Sequence, residues 1–85
     1  CMVSMGAKIA HHTILGRGVF VSTGVNVGAS IAIEENAFLG IGSTIMTGVK
    51  RIGKNAVIGA GAVVTKDVPD NAVVAGVPAK IIKYI

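Results

Sequence analysis

The chain has 85 residues, 52% of them hydrophobic but only 4% aromatic, with 12 Gly, no Trp and a formal net charge of +4. One domain at most fits that length, and the composition excludes both a globule built on aromatic anchors and disorder, which needs low hydrophobicity. The eight Lys and Arg and four Asp and Glu form no basic stripe with interleaved aromatics, so no nucleic-acid partner is expected and the mild positive potential suits a phosphate-bearing small molecule.

Gly, Asn or a charge interrupts every apolar run well before the ~18 residues that a membrane span requires. Neither a span nor a signal segment is expected. The single Cys1 has no internal partner for a disulfide, which leaves the cytoplasm as the expected location.

Taken from the N-terminus, an aliphatic residue recurs every six positions at Val3, Ile9, Leu15, Val21, Val27, Ile33, Leu39 and Ile45, then after one extra residue at Ile52, Ile58 and Val64. Val, Ile and Leu fill 26 of 85 positions, so eleven in-frame matches by chance have a probability of about a few in a million. The residue four places on is small or β-branched throughout, from Ala7 to Val68, and the residue directly after the aliphatic is mostly small, as at Gly16, Gly28, Gly40, Gly53 and Gly59.

Positions i and i+4 share a parity, so both point inward from an extended segment, while i+1 and i+2 are placed to turn a corner where Gly tolerates a positive φ. Three such segments close a triangular coil of about 18 residues whose backbone pairs with the next coil ~4.8 Å away. The fold class is therefore all-β, a parallel β-helix of about three and a half coils over residues 1–68. Its expected columns are Val3, Val21, Leu39 and Ile58; Ile9, Val27, Ile45 and Val64; and Leu15, Ile33 and Ile52. The extra residue falls in Val49-Lys50-Arg51, which must bulge outward if the columns continue. A heptad coiled coil is excluded, since Gly in most units would cost a helix ~1 kcal/mol each relative to Ala.

After Val68 the hexad fails at the turn cluster Pro69-Asp70-Asn71 and resumes weakly at Val74-Ala75. Residues 69–85 are read as a turn, a degenerate repeat and a C-terminal cap, a short helix or strand from Ala79 to Ile85.

The runs Ile9-Ala10-His11-His12-Thr13-Ile14-Leu15-Gly16, Phe38-Leu39-Gly40-Ile41-Gly42-Ser43, Ile58-Gly59-Ala60-Gly61-Ala62-Val63-Val64-Thr65-Lys66-Asp67-Val68-Pro69 and Ala75-Gly76-Val77-Pro78-Ala79-Lys80 resemble the hexapeptide-repeat acyltransferases. Within that family they look most like the sialic acid O-acetyltransferase and UDP-amino-sugar N-acetyltransferase branch, to which the His after Ile9-Ala10 points. The resemblance implies a left-handed coil, a homotrimer, acetyl-CoA as co-substrate, a sugar-type acceptor and no metal. It also implies a nucleotide-sugar-binding α/β domain ahead of the β-helix. None stands in these 85 residues, so the expectation is either a piece of a longer enzyme or a stand-alone β-helix whose acceptor site comes from elsewhere.

Carried over by residue, the resemblance makes His11 the general base of acetyl transfer, a role that needs a group poised near neutral pH. His12 stands where the family commonly has an acidic residue that orients the base, and a His there cannot hold the imidazolium by charge. Phe20 replaces a second His near the cofactor with an apolar wall, or lies at a trimer interface. Ile41 and Ala60 match positions whose main chain touches the cofactor. Lys80 and Lys83 are candidates for its phosphates, or simply solvated. Glu34 and Glu35 are chain neighbours whose side chains diverge, so no carboxylate pair is expected. A reading from another class is a non-catalytic trimeric β-helix scaffold, which would not bind coenzyme A. A zinc enzyme needing three His is disfavoured, because His11 and His12 are the only two and adjacent.

Overall fold

A computed structural model describes residues 2, 3, 5–10 and 12–85. Short strands form the three faces of a triangular prism. The first face stacks β1 (Met2–Val3), β4 (Phe20–Val21), β7 (Phe38–Leu39), β10 (Val57–Ile58) and β12 (Ala72–Ala75), and ends in β13 (Lys80–Tyr84). The second holds β2 (Lys8–Ile9), β5 (Asn26–Val27), β8 (Thr44–Ile45) and β11 (Val63–Val64), and the third β3 (Ile14–Leu15), β6 (Ala32–Ile33) and β9 (Arg51–Ile52). All pairings are parallel except the last, in which β13 runs antiparallel to β12.

The register reproduces the hexad columns. Val3 pairs with Val21 and Val21 with Leu39, Ile9 with Val27 and Val27 with Ile45, and Leu15 with Ile33. Inward residues of the middle coils lose nearly all contact with water, as Val21, Leu39, Ile52 and Ile58 do. The i+4 residues join them from Val19 to Val68. Ser43 is the polar member of this inner set, and its hydroxyl donates to the Gly40 carbonyl at 2.8 Å, which removes the cost of burying it. The coil makes about four turns, because β12 rejoins the first face below β10. At the upper end Val3 remains 48% exposed.

Between Ile45 and Ile52 the extra residue is absorbed without loss of register, since Ile33 still pairs with Ile52. Val49 and Ile52 stay buried and Lys50 is pushed outward. The displaced backbone has its own acceptor: the Asp67 carboxylate takes the Lys50 N–H at 2.7 Å and the Arg51 N–H at 3.4 Å.

Corner geometry differs from the expectation in one respect. Left-handed φ values fall at i+3, at Gly6, Gly24, Gly42 and Gly61 on one corner and at Gly18, Asn36, Asn55 and Asn71 on another. The glycines at i+1 serve close approach instead. A Cβ on Gly40 would stand 2.6 Å from the Ile58 carbonyl oxygen and 2.8 Å from the Ala60 nitrogen, both backbone of the next coil, whereas nothing lies within 4 Å of one on Gly42. Gly40→Ala must therefore push neighbouring coils apart, while Gly42→Ala meets only the left-handed penalty of roughly 1–2 kcal/mol. In urea melts Gly40→Ala is expected to lower the unfolding midpoint by more than Gly42→Ala; the reverse order would mean that the coils tolerate separation.

Candidate functional site

Each corner stacks equivalent residues coil on coil, and the three stacks differ in chemistry. The third corner, between third and first faces, presents Arg17, Glu35, Lys54 and Asp70 in alternating charge. It is internally compensated. Asp70 accepts the Lys54 N–H at 2.9 Å and forms an ion pair with Arg51, and these contacts, the Lys54 amide first, hold its carboxyl below the usual carboxylate range. Asn55 Nδ2 donates to Asn71 Oδ1 at 3.1 Å beside it. Such an edge faces water.

The first corner, between first and second faces, carries Met5, Thr23, Ile41 and Ala60, followed in each coil by a left-handed Gly. It has no charge. Ile41 is 65% exposed, and open space surrounds Gly42 and Gly61, so a ligand can approach the main chain there. Phe20 and Phe38 lie on the adjoining outer surface of the first face, their rings stacked with centroids 5.2 Å apart and 8° between planes. Sequence reasoning misses Phe38 as a site residue, although its eighteen-residue offset from Phe20 (38 − 20) matches one turn of the coil.

The second corner, between second and third faces, carries His12 and, below it, Ala29-Ser30, Thr47-Gly48 and Lys66-Asp67. His12 and Ser30 hold φ of 61° and 59°. The Thr47 hydroxyl accepts the Ala29 N–H at 3.4 Å, and Thr13 Oγ1 donates to the Gly28 carbonyl at 2.7 Å. His11, the expected base, lies outside the described residues.

Phe20, Ile41 and Ala60 thus share one side of the prism, and His12 stands on a different corner. Within one coil the two corners are separated by the second face, six residues of extended chain from Gly24 to Ser30 (30 − 24), or roughly 15–20 Å. One chain does not bring these two corners together. Among the described residues no three metal-ligating side chains cluster, and no helix is long and apolar enough to cross a membrane.

A family profile described as the hexapeptide repeat of succinyl-transferase matches residues 30–66. A galactoside O-acetyltransferase of Lactococcus lactis subsp. lactis is 39% identical over 89 aligned positions, covering 91% of this chain and 42% of that protein. The chain belongs to the hexapeptide-repeat family. Its fold matches a serine acetyltransferase of Neisseria gonorrhoeae with a TM-score of 0.89 and 32% identity, over 98% of this chain and 36% of the other. A galactoside acetyltransferase solved in complex with coenzyme A matches with a TM-score of 0.76 and 32% identity, over 86% and 45%. The coil is a left-handed parallel β-helix, as in these acetyltransferases. The chain spans less than half the length of each of these relatives.

The depressed Asp70 carboxyl makes a pH prediction at the third corner. A carboxyl whose folded pKa lies below its unfolded value stabilises the fold above the unfolded pKa and loses that contribution as pH falls through the folded one. Asp70→Asn keeps an acceptor for the Lys54 amide and removes the titration. Wild type is expected to outlast Asp70→Asn in thermal melts near neutrality, with the gap closing as pH falls below the ordinary carboxylate range; a gap independent of pH would exclude the carboxylate as its source.

Proposed function

We propose that this chain is the β-helix of an acetyl-CoA-dependent acetyltransferase that works as a homotrimer, with the first corner of one copy set against the second corner of the next. The observation that carries this reading is the segregation of the corners. A neutral, side-chain-poor corner able to take a cofactor along its main chain and a His-bearing corner stand at opposite borders of one face. Only neighbouring copies can oppose them. The solved relative holding coenzyme A supports the choice of cofactor.

In this arrangement acetyl-CoA lies along Ile41 and Ala60, with Phe20 and its stacked partner Phe38 as an apolar wall. Lys80, where the chain turns below that corner, attracts the phosphates together with Lys83 further along the same strand. His11 takes the proton from an acceptor hydroxyl or amine as that atom attacks the thioester carbonyl, and returns it to the departing thiolate. His12 neighbours the base and offers no carboxylate to hold the imidazolium. The acceptor is a sugar or nucleotide sugar, on the Ile9-Ala10-His11 run that favours the sialic acid and UDP-amino-sugar branch; some of its pocket comes from chain beyond these residues or from a partner. A cytoplasmic location follows from the same proposal, because acetyl-CoA is supplied there.

Turnover followed by thiol release tests the assignment. His11→Ala is expected to lower the rate by about 10²- to 10⁴-fold with acetyl-CoA affinity within a few fold, whereas Ile41→Glu, placing a like charge against the phosphates and bulk in the groove, should weaken acetyl-CoA binding. An unchanged rate in His11→Ala removes the base. A wild type that does not bind acetyl-CoA, or sediments as a monomer at micromolar concentration, favours the scaffold reading.

A further inference from the structure

The last strand leaves one edge open. β13 ends the six-stranded first face, paired with β12 on one side and, among the described residues, with no strand on the other. Its two surfaces differ in chemistry. Ile81 and Tyr84 stand opposite Val74 and Ala72, which are buried, whereas Lys80 and Lys83 stand opposite the outward Ala75 and Val73. Burial of those partners does not extend to β13, since Ile81 remains 46% and Tyr84 59% exposed. The register shift between Val73 and Val74 leaves Ile82 unpaired, and it too is exposed.

The inward columns stop at this strand. A cavity of about 270 Å³ beneath them is lined by Val64, Val68, Val74 and Ile81, with Lys66 and Lys80 also on its wall. Asp67 reaches it as well, but its Oδ1 takes the Lys50 and Arg51 N–H groups of the coil above, and Asp70 is held by Arg51 and the Lys54 N–H. Among the described residues Lys66, Lys80 and Lys83 form no ion pair. The base of the prism is therefore apolar with a positive rim.

Main-chain groups are available at the same place. The Ile85 N–H donates to the Asn71 carbonyl at 2.8 Å, and alternation along a strand then turns the Tyr84 N–H away from β12, towards the open side.

We infer that β13 is a docking edge for an extended segment of a partner protein in which apolar and acidic residues alternate. Such a segment adds as a further strand. Its main chain pairs with the open edge, its apolar side chains enter beneath Ile81, Tyr84 and the cavity, and its carboxylates stand beside Lys80 and Lys83, where opposite charges on neighbouring strands attract. A second copy of this chain fits less well, because its own β13 would bring two more lysines to the edge, and lysines on an edge strand oppose self-pairing. A lipid surface would answer the charges but offers no line of main-chain donors and acceptors. The edge crosses the end of the prism from Lys80, below the first corner, to Ile85, bonded to Asn71 on the third corner, so it departs from the stack of Ile41 and Ala60. The inference does not rest on the acetyltransferase reading, and its test needs no cofactor.

Three fluorescein-labelled octapeptides test it by anisotropy on the full chain: one alternating Glu and Val, one alternating Lys and Val, and one with the acidic pattern but Pro in place of every second Val. The first should bind, and the other two about tenfold or more less tightly. Lys83→Glu should weaken the acidic peptide and favour the basic one. Tyr84→Pro removes a donor from the open edge and leaves the Ile85 N–H on Asn71, so it should abolish binding without lowering the melting temperature, whereas Tyr84→Ala keeps the N–H and should lose less. Equal binding of the Pro-containing peptide means charge alone and overturns the inference, as does an affinity that neither Lys83→Glu nor Tyr84→Pro changes. Failure of the acidic peptide to bind wild type overturns it too. In that event, sedimentation showing self-association that Tyr84→Pro abolishes assigns the edge to a second copy, and cosedimentation with phosphatidylserine vesicles assigns it to a lipid surface.

Discussion

Everything in this molecule depends on two backbones lying one strand spacing apart, turn after turn. The parallel ladder is continuous from Lys8 N to Val25 O at 2.7 Å through Gly40 N to Ile58 O and Gly59 N to Val74 O, both 2.8 Å. Those bonds satisfy polar groups that a chain with so few side-chain partners would otherwise leave unmet. They require that the residue after each inward aliphatic have no bulk towards the next coil. At Gly28 a Cβ would come within 2.6 Å of the Thr47 amide nitrogen. Side-chain packing follows from that spacing, because columns such as Val21, Leu39 and Ile58 can touch only if the coils do.

A second consequence is the segregation of chemistry by corner. A coil can vary only where side chains point outward, so function must be written in stacks rather than in loops. Asp67 and Asp70 show how this works structurally: each reaches up one coil to accept backbone N–H groups, Asp67 from the expanded corner and Asp70 from Lys54. Carboxylates there act as clamps between turns. The first corner, which carries no charged residue, has no such clamp among the described residues.

The hexad frame was legible because inward positions admit little but Val, Ile, Leu and small residues, and even the bulge at Lys50 could be located by counting. Handedness was not legible. A short parallel crossover ordinarily goes right-handed, and nothing in a period of six reverses that preference, so the left-handed coil rested on the family resemblance, which the relatives bear out. The role of glycine was misplaced by two positions because freedom at φ and absence of a Cβ select the same residue; only the Asn36, Asn55 and Asn71 stack, which tolerates αL but would not fit a tight backbone approach, separates the two in the sequence. The terminal strand was ambiguous with a helix, since Lys80–Tyr84 contains no periodic signal, and its antiparallel pairing on β12 depends on the turn at Gly76–Ala79.

For the site, residue types were readable and their mutual placement was not. Ile41 and Ala60 are nineteen residues apart in sequence (60 − 41) and stack directly, while His12 is nearer to Phe20 in sequence than either and stands on another corner. A triangular prism separates neighbours in sequence by a whole face and unites residues one turn apart. In the proposed homotrimer that geometry would let a corner offering main chain and a corner offering a base come from different copies, so that the two need not be fitted into one concavity of a single prism.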